Sequence, residues 1–278
     1  TGPTITSVSS TTANGTYGIG DEIAITITFS ENVIVNSALF EQDGTGRPRL
    51  TLETGSSDQA INYTSGSGGA TLTWNYTVQS GNISSDLDYK SLALNGGTIK
   101  DATGNDADLT TLPSPGASGS LAANKALVVD GVVPTIYSAA VASNNSYIDI
   151  TMSEAVYNAS AGSGALEATD FTLTFAQNSG SATGASISSV KQNDSATVGS
   201  ATALAGGETT IRVFLTTTGT PSGVETIAIT PVNATSIYDV AGNAMATSQT
   251  TGAKTLNDNL LPTITSVSLA ANNSTIAV

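Results

Sequence analysis

One short segment occurs three times in this 278-residue chain, at nearly constant intervals. It reads GPTITSVSS at 2–10, VPTIYSAAV at 133–141 and LPTITSVSL at 261–269. Aligning Pro3, Pro134 and Pro262 gives spacings of 131 and 128 residues (134 − 3 and 262 − 134). A repeat of this length has the size of an independently folding domain, not of a short solenoid repeat. We therefore predict two complete repeats, at 1–131 and 132–259, and the first strand or strands of a third at 260–278.

Within each repeat, apolar and polar residues alternate, which is typical of half-buried β-strands. Turn-forming stretches of Gly, Ser and Asn separate about seven such strands in each repeat, and this pattern predicts a β-sandwich. Only SSDLDYKSLAL at 84–94 is compatible with one helical turn. The clearest strand candidates are EIAITITF at 22–29, ATLTWNYTV at 70–78, YIDITM at 147–152, FTLTF at 171–175 and TTIRVFL at 209–215.

The composition excludes several classes of function. With 22 acidic and 8 basic residues the net charge is −14, so nucleic acid is not an expected partner, because neutralising phosphates requires clustered Lys and Arg. The chain has no His and no Cys, which excludes Ser-His-Asp hydrolysis, His-ligated zinc and a disulfide framework. No apolar run approaches the roughly 20 residues of a membrane span. We expect a non-catalytic protein with no membrane insertion in this segment.

Three acidic positions recur in the same order in both repeats. The first follows the second strand, in FSENV and MSEAV. The second opens the motif D-x-x-G-N, in which the Asn is also shared, and the third lies just before the next x-P-T-I. The residues are Glu31 and Glu154, then Asp101, Asn105, Asp239 and Asn243, then Asp130 and Asp258.

This order of motifs resembles the bacterial immunoglobulin-like repeats of large extracellular surface proteins and adhesins, and the resemblance covers the whole chain. It implies an all-β fold of tandem immunoglobulin-like β-sandwich domains with Greek-key connections, export from the cell, head-to-tail stacking and no catalysis. It also implies that the acidic residues at the three positions are candidate metal ligands near the ends of the domains. The chain departs from cadherin-type linkers, which carry denser acidic clusters than this one.

Calcium is the candidate ion, because Ca²⁺ takes six to eight oxygen ligands from carboxylates, amides and backbone carbonyls. A D-x-x-G-N loop can present a carboxylate, a sharp turn and an amide oxygen together, which adds Asn105 and Asn243 to the candidate ligands. The alternative is that these are ordinary turn residues. Asp and Asn side chains often bond to their own backbone, and Gly supplies the left-handed position. The sequence leaves both interpretations open.

Two hypotheses about function follow. In the first, the chain is a structural segment of an extracellular bacterial surface protein that stacks end to end as a stalk, surface layer or filament. Its partners are neighbouring repeats or identical subunits, and β-strand addition by the segment at 260–278 is one way to join them. In the second, the chain is an adhesin module that binds a glycan or a protein through loops such as 40–49 and 176–184.

Overall fold

The computed structural model describes residues 1–36, 46–160, 162–269, 271–272 and 276–277. These residues are nearly all in strands and turns, and they form two compact units. Unit 1 comprises Thr1–Pro134 with the short segments Ala159–Ser163 and Tyr238–Ala244. Unit 2 comprises Thr135–Asn158, Gly164–Ile237 and Met245–Val278. The prediction of an all-β fold is confirmed.

Unit 1 contains eleven strands among its described residues, one short α-helix, α1 (Leu121–Asn124), and a 3₁₀ turn at Leu109–Thr111. The strands are β1 (Ile5–Ser10), β2 (Gly15–Tyr17), β3 (Glu22–Phe29), β4 (Ile34–Asn36), β5 (Arg49–Leu52), β6 (Gln59–Ser65), β7 (Thr71–Thr77), β8 (Ile83–Ser84), β9 (Tyr89–Ala93), β10 (Thr98–Lys100) and β11 (Leu127–Asp130).

The strands of unit 1 form three sheets around one core. The largest has the order β1-β3-β7-β6-β5-β9, and the smaller ones are β2-β11-β8 and β10-β4. The inward face predicted for 22–29 is confirmed, since Ile23, Ile25, Ile27 and Phe29 are all buried. All three sheets contribute apolar side chains to this core, which is the arrangement of a β-sandwich. Trp74 of β7 lies in it, with its ring edge-on to that of Tyr63.

The helical turn considered for 84–94 is wrong, because the chain there is extended into β9. Leu87 and Tyr89 alternate with polar residues and are both buried. Asp88, between them, accepts hydrogen bonds from the backbone N–H groups of Tyr89 (3.0 Å) and Gly116 (2.9 Å). The bond to Gly116 comes from a distant part of the chain, so no local pattern could have indicated it.

Strand β1 is an edge strand that residues far along the chain cover. The N–H of Ile5 donates to the Thr111 hydroxyl at 2.6 Å. The N–H of Val8 donates to the carbonyl of Gly119 at 2.8 Å, and the Asn124 side chain donates to the carbonyl of Val8 at 2.8 Å. The outer edge of the sheet is therefore capped, which protects it from pairing with another chain.

Unit 2 is built from two sheets, with the orders β12-β13-β16-β15 and β14-β17-β18. Their inward faces form a second apolar core that includes Ile148, Ile150, Ile211, Val213 and Ile229. The strands are β12 (Ile136–Val141), β13 (Tyr147–Val156), β14 (Phe171–Ala176), β15 (Gly184–Lys191), β16 (Glu208–Thr218), β17 (Thr226–Pro231) and β18 (Lys254–Thr255).

Residues 260–277 contain a further antiparallel pair, β19 (Ser268–Leu269) and β20 (Ile276–Ala277). Ser268 pairs with Ala277, and Leu269 pairs with Ile276. In unit 2, 128 positions earlier, Ala140 pairs with Asp149 and Val141 with Ile148. The third copy of the repeated segment therefore begins with the same hairpin, in the same register, as the second.

No helix in the described ranges is long and apolar enough to cross a membrane.

Candidate metal centre

The two D-x-x-G-N motifs form the same loop. In each, the N–H of the Asp donates to the carbonyl of the Asn four positions later, at 3.0 Å for Asp101 and 3.1 Å for Asp239. The N–H of that Asn donates back to the Asp carboxylate, at 2.8 Å in both loops. Gly104 and Gly242 have φ values of +91° and +86°, a conformation that favours Gly because it has no Cβ. A shared sequence motif is therefore a shared structure.

The carboxylate of Asp101 is fully used within its own loop. It accepts bonds from the N–H (2.8 Å) and hydroxyl (2.9 Å) of Thr103 and from the N–H (2.8 Å) and side-chain amide (2.6 Å) of Asn105. These bonds, led by that of the Asn105 amide, lower the pKa of Asp101 to about 2. This loop fits the hypothesis of an ordinary turn.

The second loop differs because Ala241 occupies the position of Thr103. Without that hydroxyl, the Asn243 side chain donates outside its loop, to the carbonyls of Asp130 (2.8 Å) and Val132 (3.3 Å), as well as to Asp239 (2.7 Å). Its oxygen accepts from the N–H of Ile19 at 2.7 Å. The Asn243 amide therefore holds this loop against the rest of unit 1, and its oxygen already has a donor.

This arrangement brings Asp239 close to Asp130. Among the described residues, two acidic side chains of this unit, Asp130 and Asp239, have carboxylate oxygens that lie within 4.8 Å of each other. Asp130 and Asp239 both belong to unit 1, and Asp239 is fully buried. Burial raises the pKa of Asp239, and the nearby Asp130 raises it further, against the opposing effect of the Asn243 hydrogen bonds. The two D-x-x-G-N carboxyl groups are thus shifted in opposite directions.

A buried carboxylate beside a second one is costly unless a proton or a cation compensates for the charge. The Asp130–Asp239 pair therefore fits a hard cation better than the Asp101 loop does. The two carboxylates could supply part of the oxygen shell that Ca²⁺ requires.

The other predicted ligands are placed differently. Glu31 is exposed after β3, whereas Glu154 is half-buried within β13 and does not follow that strand, which extends to Val156. Asp258 is exposed and accepts a bond from the N–H of Leu260 at 2.9 Å, just as Asp130 accepts one from Val132 at 3.1 Å. Within the described ranges, Glu31, Asp101 and Asp258 belong to no group of three acidic side chains close enough to share an ion.

Another acidic residue, Glu225, is fully buried immediately before β17 and was not among the predicted ligands. Its carboxylate accepts from the N–H groups of Ala182 (2.8 Å) and Ser222 (2.9 Å) and from the Ser222 hydroxyl (3.2 Å). A Cβ at Gly180 would lie 2.3 Å from the Glu225 carboxyl carbon, so this position has room only for Gly. A lone acid before an apolar strand is too common a pattern to have revealed these contacts.

The effect of having Thr at position 103 and Ala at the equivalent position 241 can be tested with Thr103→Ala, which gives both loops Ala at this position. Because two of the bonds in the Asp101 loop involve the Thr103 hydroxyl, we expect the pKa of Asp101 to rise from about 2 towards its ordinary value. An NMR titration of the carboxyl carbons measures this change. Asp239, whose loop already has Ala, serves as the internal control. An unchanged Asp101 titration would show that the hydroxyl contributes nothing.

Comparison of the chain with protein-family models and with curated proteins finds no match. Without a match, the class of this protein can be stated only from its fold. It is an all-β protein with β-sandwich-like units and a repeated opening hairpin.

Proposed function

We propose that this chain is a non-catalytic structural segment of an extracellular bacterial surface protein, built from tandem immunoglobulin-like domains that stack end to end. The observation that carries the proposal is the third hairpin, whose strand pairing repeats that of unit 2 at the same 128-residue offset. A fold that restarts in register supports an array of repeated units.

The exposed apolar residues of the third copy support the same proposal. The seven residues PTITSVS are identical at 3–9 and 262–268. In unit 1 this segment buries Ile5 and Val8, which are 5% and 0% exposed. The equivalent Ile264 and Val267 are 69% and 60% exposed. The segment that forms core in unit 1 thus has an apolar face in the third copy as well, and β-structure of a neighbouring repeat or of an identical subunit, by strand addition, would suit that face.

The segment that leads out of β11 is held firmly by unit 1. Gly131 donates to the carbonyl of Asn82 at 2.7 Å and accepts from the N–H of Gly81 at 2.7 Å. A Cβ at Gly131 would lie 2.2 Å from the carbonyl oxygen of Gln79, so no other residue fits. A connection fixed in this way supports a stiff array, unlike a Gly/Ser linker, which behaves as a random coil.

Small-angle X-ray scattering of the chain tests this proposal. We expect a distance distribution with a separate, sharp peak for the spacing between the two units. A control variant with Gly-Ser-Gly-Ser inserted between Val133 and Pro134 should lose that peak. If the unmodified chain gives the same broad distribution as the insertion variant, the stacking hypothesis fails.

We further propose that Ca²⁺ stiffens such an array through Asp130 and Asp239. The remaining predicted ligands stay candidates for this role. The alternative function, an adhesin module, rests on loops. Most of the loop at 40–49 lies outside the described residues.

A further inference from the structure

One hairpin of unit 2 carries an insertion that unit 1 lacks. The sheet orders β1-β3-β7-β6 and β12-β13-β16-β15 make the β6–β7 and β15–β16 hairpins equivalent. The first has a five-residue connection, 66–70, and the second has sixteen residues, 192–207. Binding residues commonly lie on loops that vary in length while the framework of strands stays the same.

The 192–207 loop is folded onto unit 2. Asp194 accepts from the N–H (3.1 Å) and hydroxyl (2.5 Å) of Thr202, and Lys191 donates to the carbonyl of Ala201 at 3.4 Å. The side chains of Ala201 and Leu204 are buried, and Leu204 belongs to the core of unit 2. The loop is thus anchored to unit 2 at several points along its backbone.

A shallow polar groove of about 440 Å³, wide open to solvent, lies at the base of this loop. Glu208 is oriented by two backbone donors, the N–H groups of Ala205 (2.7 Å) and Gly206 (3.0 Å). By contrast, the side chains of Gln192, Asn193 and Thr209 make no hydrogen bond to any other described residue. The groove is lined by Gln192, Asn193, Gly207, Glu208, Thr209 and Thr210.

We propose that this groove binds a neutral saccharide. Amide, hydroxyl and carboxylate groups together both donate and accept hydrogen bonds, as the hydroxyls of a sugar require. The lining contains no Lys or Arg and one carboxylate, Glu208, so an acidic sugar would be repelled. The binding role goes beyond the proposed structural function and does not depend on it, because a unit can bind a glycan whether or not the units stack.

The test is a glycan array that carries neutral oligosaccharides of glucose, galactose, mannose and N-acetylglucosamine beside sialylated and sulfated ones. An NMR titration with the strongest neutral glycan then gives its affinity. The variant Asn193→Ala/Thr209→Val removes two free polar groups from the groove. Thr172→Val is the matched control, since Thr172 is also an exposed strand residue of unit 2. We expect about tenfold weaker binding in the double variant, from the loss of two hydrogen bonds, and wild-type binding in the control.

A second variant replaces the loop 192–207 by the five-residue connection GSGGA of unit 1 and should abolish binding. Circular dichroism melting curves of all variants show whether unit 2 stays folded, and the double variant, changed only at exposed side chains, keeps the test decisive if the loop exchange unfolds it. The proposal is overturned if no neutral glycan binds, if only acidic glycans bind, or if the double variant binds as tightly as the wild type.

Discussion

Replacing Glu225 by Ala is expected to lower the free energy of unfolding of unit 2 by about 3 kcal/mol. The carboxylate is 0% exposed and is the acceptor for the N–H groups of Ala182 and Ser222 and for the Ser222 hydroxyl. Removing it leaves these donors without a partner inside the unit. It also frees the 178–183 and 218–225 connections, which this one side chain joins.

The effect should depend on pH in a defined direction. Burial by itself raises the pKa of Glu225, but the bonds from Ala182 and Ser222 outweigh it and lower the pKa from 4.5 to about 2. A carboxyl group whose pKa is lower in the folded state stabilises the fold fully above its unfolded pKa. Its contribution is therefore complete above pH 4.5 and is lost as the pH falls towards 2. The difference between wild type and Glu225→Ala should shrink over the same interval.

Chemical denaturation followed by two signals measures this. Trp74 is the single Trp of the chain and lies in unit 1, so its fluorescence reports that unit, whereas far-ultraviolet circular dichroism reports both. Glu31→Ala is the control, because Glu31 is exposed. Equal unfolding curves for Glu225→Ala and Glu31→Ala would show that the buried carboxylate has no stabilising role.

Removing calcium should lower the melting temperature, and restoring it should reverse the change. An ion bound only by the folded state adds RT ln(1 + [L]/Kd), which is about 4 kcal/mol at a thousandfold excess over Kd. The reason lies in Asp239, whose pKa is raised by burial and by Asp130. Such a group stabilises the fold only when protonated, so without a cation its contribution is lost as the pH rises. A bound cation removes that penalty.

The variant Asp130→Asn separates this explanation from a general effect of calcium. It keeps the oxygen that accepts from the N–H of Val132 but removes the negative charge beside Asp239. We expect the variant to exceed the wild type in stability in excess EDTA at neutral pH and to gain little from calcium. Thermal unfolding with EDTA and then with calcium measures both. If calcium does not change the melting temperature of the wild type, Asp130 and Asp239 are turn residues and not ligands. If calcium stabilises Asp130→Asn as much as the wild type, the ion binds at another site.

Sequence patterns were sufficient for the parts of the fold that depend on neighbouring residues. Strict alternation predicted β3 with both ends correct, because each inward residue of 22–29 meets the same core. The two D-x-x-G-N loops were recognisable because their bonds run between residues two to four positions apart.

Features that depend on distant residues could not be predicted. The contrast between Asp101 and Asp239 arises from Thr103 against Ala241 and from the approach of Asp130, which lies more than a hundred positions from Asp239. Glu225 is stabilised by a residue 43 positions away. The polar groove exists because a long loop folds back on its own unit, and the composition of that loop resembles any other Ser, Thr and Gly-rich stretch.

The residues that cap the outer edge of β1 are synthesised much later than the strand itself. The partners of Ile5 and Val8 lie 106 and 116 residues further along the chain, at Thr111 and Asn124. At a synthesis rate of about 5–20 residues per second, the strand waits roughly 5 to 20 seconds before its cap is made. During that interval the open edge of β1 is available for pairing with a strand of another nascent chain. Because these partners precede the next repeat in the sequence, the edge of β1 can be capped before the opening strand of that repeat is synthesised.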